Sequence, residues 1–413
     1  MKKKKRLVKK PNIFVYGLFK MLSDIISKLF FNTKFIRNEI KNKKGPYVVI
    51  ANHESMIDFL PLCSANINRM QFVISNSFYQ SLKINKLIEA CGVIPKQQFQ
   101  TSMVDLRKMK YVLEHNKMPL VLYPAGLMSE NGISTPIPKG TGKALKWFDC
   151  DVYIAKISGS YLTKPKWSKK YRKGRIDLDI YKLYSKEDVQ NKDDKELQNE
   201  IEEILKYNAY KNQEKKLVIH KNGTDIRGLE YVLYQCPKCK REFTIREHNH
   251  QLICSSCLNQ AQVDKYGFLH KVKDSDIVYT HPSEWSRFIL NELYEEIKND
   301  DNFSITGHAQ ISMINYKKHK FENVGEGQIT LTKGSLIING KINNEVVSKT
   351  IFTKEIFLLP FTPGKFFEIQ EHEKIYRIYL DQSYEVTKWM NALKMIFISI
   401  IIKTMRKNKF YMY

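Results

Sequence analysis

Residues 48–62 read VVIANHESMIDFLPL, and the organisation of the first half of the chain is decided there. The apolar run 47–51 (YVVIA) has no polar alternation, so it reads as a strand buried on both faces. The run stops at Asn52-His53, and apolar spacing resumes at Met56 as the start of a helix. Asp58 follows His53 by five positions. Five steps of a regular helix turn the chain by about 500°, so the two side chains cannot share a helix face. They meet only if His53 lies on the turn before the helix and Asp58 lies within it. A carboxylate on the far nitrogen of an imidazole fixes its tautomer and stabilises the imidazolium. His53 is then a candidate general base for a hydroxyl nucleophile, with no need of an acylated serine or cysteine. The competing reading gives both residues only capping roles at a helix N-terminus.

Outward from this stretch, 71–75 (QFVIS), 119–123 (PLVLY), 152–157 (VYIAKI) and 176–182 (IDLDIYK) read as strands. Helical spacing over 102–115 and a charged amphipathic segment, 193–206, lie between and after them. Strands alternating with helices predict an α/β sheet with covering helices. That domain is expected over residues 33–215. Before it, residues 1–32 form a basic leader (Lys2, Lys3, Lys4, Lys5, Arg6, Lys9, Lys10) and an amphipathic helix. Phe14, Leu18, Met21, Leu22, Ile25, Ile26 and Leu29 share one face of that helix, and Lys20, Asp24 and Lys28 recur on the other. Two placements fit: the apolar face packs on the protein's own core, or it lies in a membrane interface. The basic leader favours the membrane, at about 1 kcal/mol per near-surface cation. The leader does not read as a cleaved signal, because charges interrupt the apolar stretch and no small-residue cleavage site follows. Retention on the cytoplasmic face of a membrane, peripheral or interfacial, is the expectation.

His-x4-Asp preceded by Asn and following a buried strand resembles the first sequence block of the glycerolipid acyltransferases, which include the 1-acylglycerol-3-phosphate acyltransferases. Later segments continue the resemblance. Gly92-Val93-Ile94-Pro95-Lys96 stands where the family has its Gly-x-Ile block. Tyr123-Pro124-Ala125-Gly126-Leu127-Met128-Ser129 stands where the family has Phe-Pro-Glu-Gly-Thr-Arg-Ser. Residues 139–144 (KGTGKA), the strand at 152–157 and the stretch 159–175 also match, so the resemblance spans roughly residues 10–210. It implies acyl transfer from a thioester, acyl-CoA or acyl carrier protein, to the hydroxyl of a lysophospholipid. His53 is then the base and Asp58 its orienting acid, with Asn52, Gly92, Lys96, Pro124, Gly126 and Ser129 around the substrate. Two departures stand out. Ala125 and Met128 replace the family's Glu and Arg, and Gln98 stands where an Arg usually holds acceptor phosphate. A guanidinium grips phosphate with a two-pronged fork, so its loss weakens the usual acceptor pose. Lys96, Lys139 and Lys143 are candidate replacement cations.

Of seven cysteines, Cys236, Cys239, Cys254 and Cys257 form CxxC-x14-CxxC. Four thiolates on two knuckles suit a closed tetrahedral site, so a structural zinc in a zinc ribbon over residues 216–272 is expected. His248 and His250 read as loop residues, and Cys63, Cys91 and Cys150 as core thiols. In 273–413 a helix from Ser283, its candidate cap, precedes strand-like segments GQITLT, SLIING, EIFLLP, FFEIQ and IYRIYL. A last helix carries Trp389. This pattern resembles a pleckstrin-homology-like barrel closed by a helix. Such a module binds anionic head groups or proteins, or simply packs on its neighbours. The tail, with Lys403, Arg406, Lys407, Lys409, Phe410, Tyr411 and Tyr413, suits an anionic lipid surface.

Lysine and arginine total 68 against 43 acids, a formal charge of +25, while 43% hydrophobic residues exclude wholesale disorder. The charge calls for a polyanionic partner, an anionic membrane or nucleic acid. Nucleic acid ranks last, since no arginine–aromatic interleaving of the kind that stacks bases is present. Beside the enzyme stands one reading of another class, a non-catalytic lipid- or protein-binding adaptor that keeps the acyltransferase fold.

Overall fold

The computed structural model describes residues 7–98, 102–371 and 374–410, with side chains through residue 400. The leading Lys2 to Arg6 and the tail's basic and aromatic side chains lie outside the described set. The chain divides into two compact units, residues 1–166 with 170–223 and residues 167–169 with 224–413.

The first unit is built on a seven-stranded sheet: β1 (Lys34–Asn38), β2 (Val48–Ala51), β3 (Gln71–Ser75), β4 (Ile94–Lys96), β5 (Leu120–Leu122), β6 (Val152–Ser158) and β7 (Asp177–Tyr184). Their order is β1-β7-β6-β2-β5-β3-β4. Val48 pairs in parallel with Leu120 on one side and Val152 on the other, which makes β2 central. β7 runs antiparallel to β6, and β1 is parallel to β7. All four residues of β2 are buried, as an uninterrupted apolar run requires. Their side chains alternate between two cores. Val49 and Ala51 face a layer containing Tyr16, Leu62 and Cys63, and Val48 and Ile50 face one containing Met109, Leu145, Leu197 and Ile201. The chain leaves β2 for β3 and β4 on one side, returns through β5 and crosses to β6 on the other. The carboxyl ends of β2, β5 and β6 therefore border a switch point, where open α/β sheets hold their ligands.

The helix expected from Met56 begins at Phe59, with the residues before it forming a turn. The physical reason is Asp58, whose side chain takes the backbone N–H groups of Glu54 and Ser55 and closes the chain tighter than a helix would.

The amphipathic helix Ile13–Leu29 packs inward through Tyr16, Ser23 and Ser27. Tyr16 accepts a hydrogen bond from the Met70 N–H at 3.0 Å and touches the Cys63 thiol, which ties the helix to the sheet. The side chains of Phe14, Leu18, Met21, Leu22, Ile25 and Leu29 are exposed, Phe14 to 86%.

In the second unit, β8 (Ile245–His248), β9 (Gln251–Cys254), β10 (Gln260–Val263) and β11 (Leu269–Lys271) form an antiparallel sheet beside the cysteine pairs. The helix Pro282–Asn299 follows. It is preceded by His281 rather than capped by Ser283, because Pro282 has no N–H to satisfy and takes the first helical position. Then come β12 (Ser304–Asn315), β13 (Lys320–Thr332), β14 (Ser335–Ile342), β15 (Glu345–Phe352), β16 (Phe361–Thr362), β17 (Phe366–Glu371), β18 (Lys374–Leu380) and the helix Val386–Phe410. The strands order as β15-β14-β13-β12-β18-β17-β16. β15 and β16 are edges, so the sheet stays open where a closed barrel was expected. The segment EIFLLP, read as a strand, is a short 3-10 turn at Thr353–Glu355 and a loop. Ile356 drops into the core there, and Pro360 has no N–H for a ladder. Trp389 is fully buried beneath the sheet beside Phe367. Among the described residues, no helix is long and apolar enough to cross a membrane.

Candidate active site

His53 leaves the carboxyl end of β2 at a turn that Asn52 clamps. Asn52 donates to the Ile157 carbonyl at 2.8 Å and accepts from the Ile157 N–H at 2.7 Å, a reciprocal bond to the neighbouring β6. The His53 carbonyl accepts from the Ser129 N–H at 3.2 Å. His53 Nδ1 lies 2.8 Å from Asp58 Oδ2. That oxygen already receives the Glu54 and Ser55 N–H groups at 2.8 and 2.9 Å, so the carboxylate is the acceptor and Nδ1 carries the hydrogen. Nε2 is left with its lone pair. Asp58 is completely buried, while the His53 side chain keeps 20% of its surface open. The His53 ring stacks on Tyr123 with centroids 4.4 Å apart.

Tyr123 begins the second wall at the end of β5. Gly126 N–H returns to the Tyr123 carbonyl at 3.0 Å, with Pro124 at the second position and a positive φ of 69° at Gly126. Proline sets the turn's entry and glycine its exit. Ala125 falls into the apolar core. Ser129 is buried and braces the following loop, its Oγ donating to the Ile133 carbonyl and accepting from the Gly132 N–H. Gln98 spans two walls: its Oε1 accepts from Ser75 Oγ at 2.9 Å, and its Nε2 donates to the Gly126 carbonyl at 2.5 Å. Lys96 is half-buried, its ammonium on the Gln97 carbonyl at 2.9 Å, and burial lowers its pKa while Asp105 partly restores it.

Two candidates sit elsewhere. Gly92 accepts from Gln71 Nε2 and packs where a Cβ would lie 2.5 Å from Pro11 Cγ. Lys143 faces Asp194 on a covering helix at 3.8 Å.

Sequence reasoning missed three residues. Ser160 Oγ lies 2.5 Å from Asp58 Oδ1 and 3.2 Å from Glu54 Oε2. Glu54 is completely buried and also accepts from the Tyr161 N–H at 3.0 Å. Its carboxyl is pushed up to about 8, first by burial and then by the charge of Asp58, against the opposing pull of the Ser160 and Tyr161 donors. Tyr123 is the third. The Gly159-Ser160 pair at the end of a strand was the one signal available for this group.

In the second unit the four Sγ atoms of Cys236, Cys239, Cys254 and Cys257 lie within 4.8 Å of one another. Cys236 and Cys257 are 3.6 Å apart, and Cys239 and Cys254 are 3.8 Å apart. A zinc tetrahedron with bonds of about 2.3 Å has edges of about 3.8 Å, so the donor set fits zinc. The two knuckles are built alike. Lys240 and Leu258 each take a left-handed φ of 59° and return their N–H to the carbonyl of Cys236 and Cys254. His250 is engaged with the Thr224 carbonyl and His248 with Asn249.

The segment that carries β2, β5 and the switch point, residues 32–158, matches the family model described as Acyltransferase. That match covers less than half of the chain. No curated protein matches the chain significantly. Among solved structures, the chain is similar to the 1-acyl-sn-glycerophosphate (LPA) acyltransferase PlsC from Thermotoga maritima, with 19% identity and a TM-score of 0.40, over 46% of this chain and 77% of that one.

Proposed function

We propose that this protein transfers a fatty acyl group from a thioester, acyl-CoA or acyl carrier protein, to the hydroxyl of a lysophospholipid or related glycerolipid. The observation that carries the reading is the His53–Asp58 pair, its Nδ1 bound at 2.8 Å and its Nε2 left as a base at the switch point of an acyltransferase domain. Nε2 takes the acceptor's proton as oxygen attacks the thioester carbon, and Asp58 stabilises the imidazolium that forms. The thiolate leaves without strong acid assistance. An oxyanion stabiliser is also required.

The acceptor's head group is read by different chemistry from that of the related enzymes. Gln98, in the place of an arginine, is tied between Ser75 and Gly126, and Lys96 is the cation that the matching blocks supply. The enzyme works at an anionic membrane surface. The exposed apolar face of the helix Ile13–Leu29 and the net charge of +25 support that placement, with the helix lying in the interface and the cytoplasmic face as the expected side. The four cysteines hold a structural zinc, which supplies folding energy rather than chemistry because all four positions are protein ligands.

The deciding experiment is thiol release with a panel of lysolipids, offered both acyl-CoA and acyl carrier protein donors. His53→Ala should lower turnover about 10²–10⁴-fold with an unchanged circular dichroism spectrum. Undiminished turnover in that variant removes the base assignment. A folded wild-type protein that binds lysolipid vesicles yet turns over no donor would be the adaptor instead.

A further inference from the structure

We infer that Glu54 and Ser160 are positioning residues, linked to the His53–Asp58 pair by a chain of hydrogen bonds that works only while Glu54 holds a proton. For its catalytic consequence this inference rests on the proposed acyl transfer; for its protonation state it does not.

Ser160 Oγ has one hydrogen and two carboxyl neighbours, Asp58 Oδ1 at 2.5 Å and Glu54 Oε2 at 3.2 Å. The shorter contact takes the serine hydrogen, as expected for O–H donated to a charged oxygen. The Ser160–Glu54 contact then sets lone pair against lone pair unless Glu54 supplies the hydrogen. A protonated Glu54 donates to Ser160 Oγ, Ser160 donates to Asp58 Oδ1, and His53 Nδ1 donates to Asp58 Oδ2. Every hydrogen in the row points toward Asp58, the one ionised member.

The surroundings favour the same state. Glu54 and Ser160 are both fully buried, and Glu54 Oε1 has no partner among the described residues. An ionised Glu54 would leave that oxygen charged and bare, which a low-dielectric interior penalises heavily. The titratable groups facing Glu54 are Asp58 and His53 on its own turn and Tyr207 from the segment after the helix Asp194–Leu205. The helix beginning at Ser160 presents its backbone donors. Asp58 repels a second charge, and the Tyr161 N–H and the hydroxyl and N–H of Ser160 pull the other way. Gly159 makes the arrangement possible. Its φ of 92° turns the chain at the end of β6, and a Cβ there would lie 2.3 Å from the Arg175 carbonyl.

The chain gives the site an alkaline limit. When Glu54 loses its proton, Ser160 must choose between two carboxylates, and Asp58 shares its donor with a like charge. Glu54→Gln offers Ser160 an amide hydrogen that pH does not remove, while its nitrogen gives up the acceptor that the Tyr161 N–H uses.

Infrared difference spectra of wild type minus Glu54→Gln read the first half directly. We expect a protonated-carboxyl C=O band near neutral pH that vanishes as pH rises through about 8. No such band at neutral pH overturns the proposal, whether or not the enzyme turns over. The second half is read with acyl-CoA and the best lysolipid acceptor. Glu54→Gln should lose the wild type's alkaline decline in kcat. Ser160→Ala should lower kcat about tenfold with KM little changed, since one charge-assisted hydrogen bond to Asp58 is removed. It should also shift the His53 Nδ1–H proton resonance, which a remote packing change would not do. Ser160→Thr, which keeps the hydroxyl, should restore most of the rate. An unchanged alkaline limb in Glu54→Gln, or an unchanged kcat in Ser160→Ala, overturns the positioning role. An inactive wild type with the infrared band intact would instead count against the acyl transfer.

Discussion

Asp58 receives hydrogens from four directions: His53 Nδ1, two backbone N–H groups and Ser160 Oγ. It is held as an acceptor and not as an acid. Asp58→Asn keeps the shape but loses the charge, and should lower kcat about 10–100-fold, measured near neutral pH. Glu54 has the opposite character. Its folded-state pKa of about 8 lies above the ordinary carboxyl value of 4.5, so the folded protein keeps a proton that the unfolded chain releases. The stability this group contributes is fully present below about pH 4.5 and is lost as pH rises toward about 8. The melting temperature of Glu54→Gln should therefore gain on wild type between these limits; parallel curves would show that Glu54 titrates normally. The spacing left the His53–Asp58 pair open against simple capping, and the resemblance of the neighbouring blocks favoured it, since the two residues can meet only across one turn. Ser160 was not legible, because it is more than a hundred positions away and only the pairing of β2 with β6 brings it near.

At the scale of elements, the helix Ile13–Leu29 reverses the usual rule. Phe14, Leu18, Met21, Leu22, Ile25 and Leu29 face outward, while Tyr16, Phe19, Ile26 and two serines face in. Periodicity showed the amphipathic stripe but not which way it turns, since both faces can pack when small residues sit on the polar one. Leu18→Asp should weaken binding to anionic vesicles about tenfold, by sedimentation, without lowering the melting temperature, because that side chain leaves no core behind. Gly142, in the KGTGKA segment, has a different constraint. A Cβ there would lie 2.0 Å from the Asp194 carbonyl, so its helix, Thr141–Phe148, meets the helix Asp194–Leu205 backbone to backbone. Gly142→Ala should cost roughly 1–3 kcal/mol in denaturant unfolding, the range of overpacking in a tight core. A smaller loss would mean that the two helices part freely.

At the scale of the whole molecule, one helix governs how the second unit unfolds. Trp285 and Ile289 of the helix Pro282–Asn299 join the core around the cysteine knuckles, and Leu293 and Ile297 join the core beneath the β12–β18 sheet. Trp285 Nε1 also donates to the Gln235 carbonyl beside the first knuckle, at 2.8 Å. Removing the metal with a chelator should release about one zinc per chain and lower the stability of the β-rich sheet as well as the ribbon, in one shared transition. Separate transitions in calorimetry would contradict that coupling. The net charge of +25 acts over the full surface, so vesicle binding should fall steeply with salt for anionic lipids and be weak for neutral ones.

Local patterns were enough for the α/β sheet around β2, the imidazole–carboxylate turn and the two cysteine knuckles. Each is specified within a few residues, by an apolar run, a fixed spacing or a pair of turns. The sheet order, the outward face of the first helix, the open edges of the second sheet and the Glu54–Ser160–Asp58 row came only from tertiary structure. They depend on which strand ends meet and which oxygens share a hydrogen, and contacts between distant segments leave no periodic trace along a single chain.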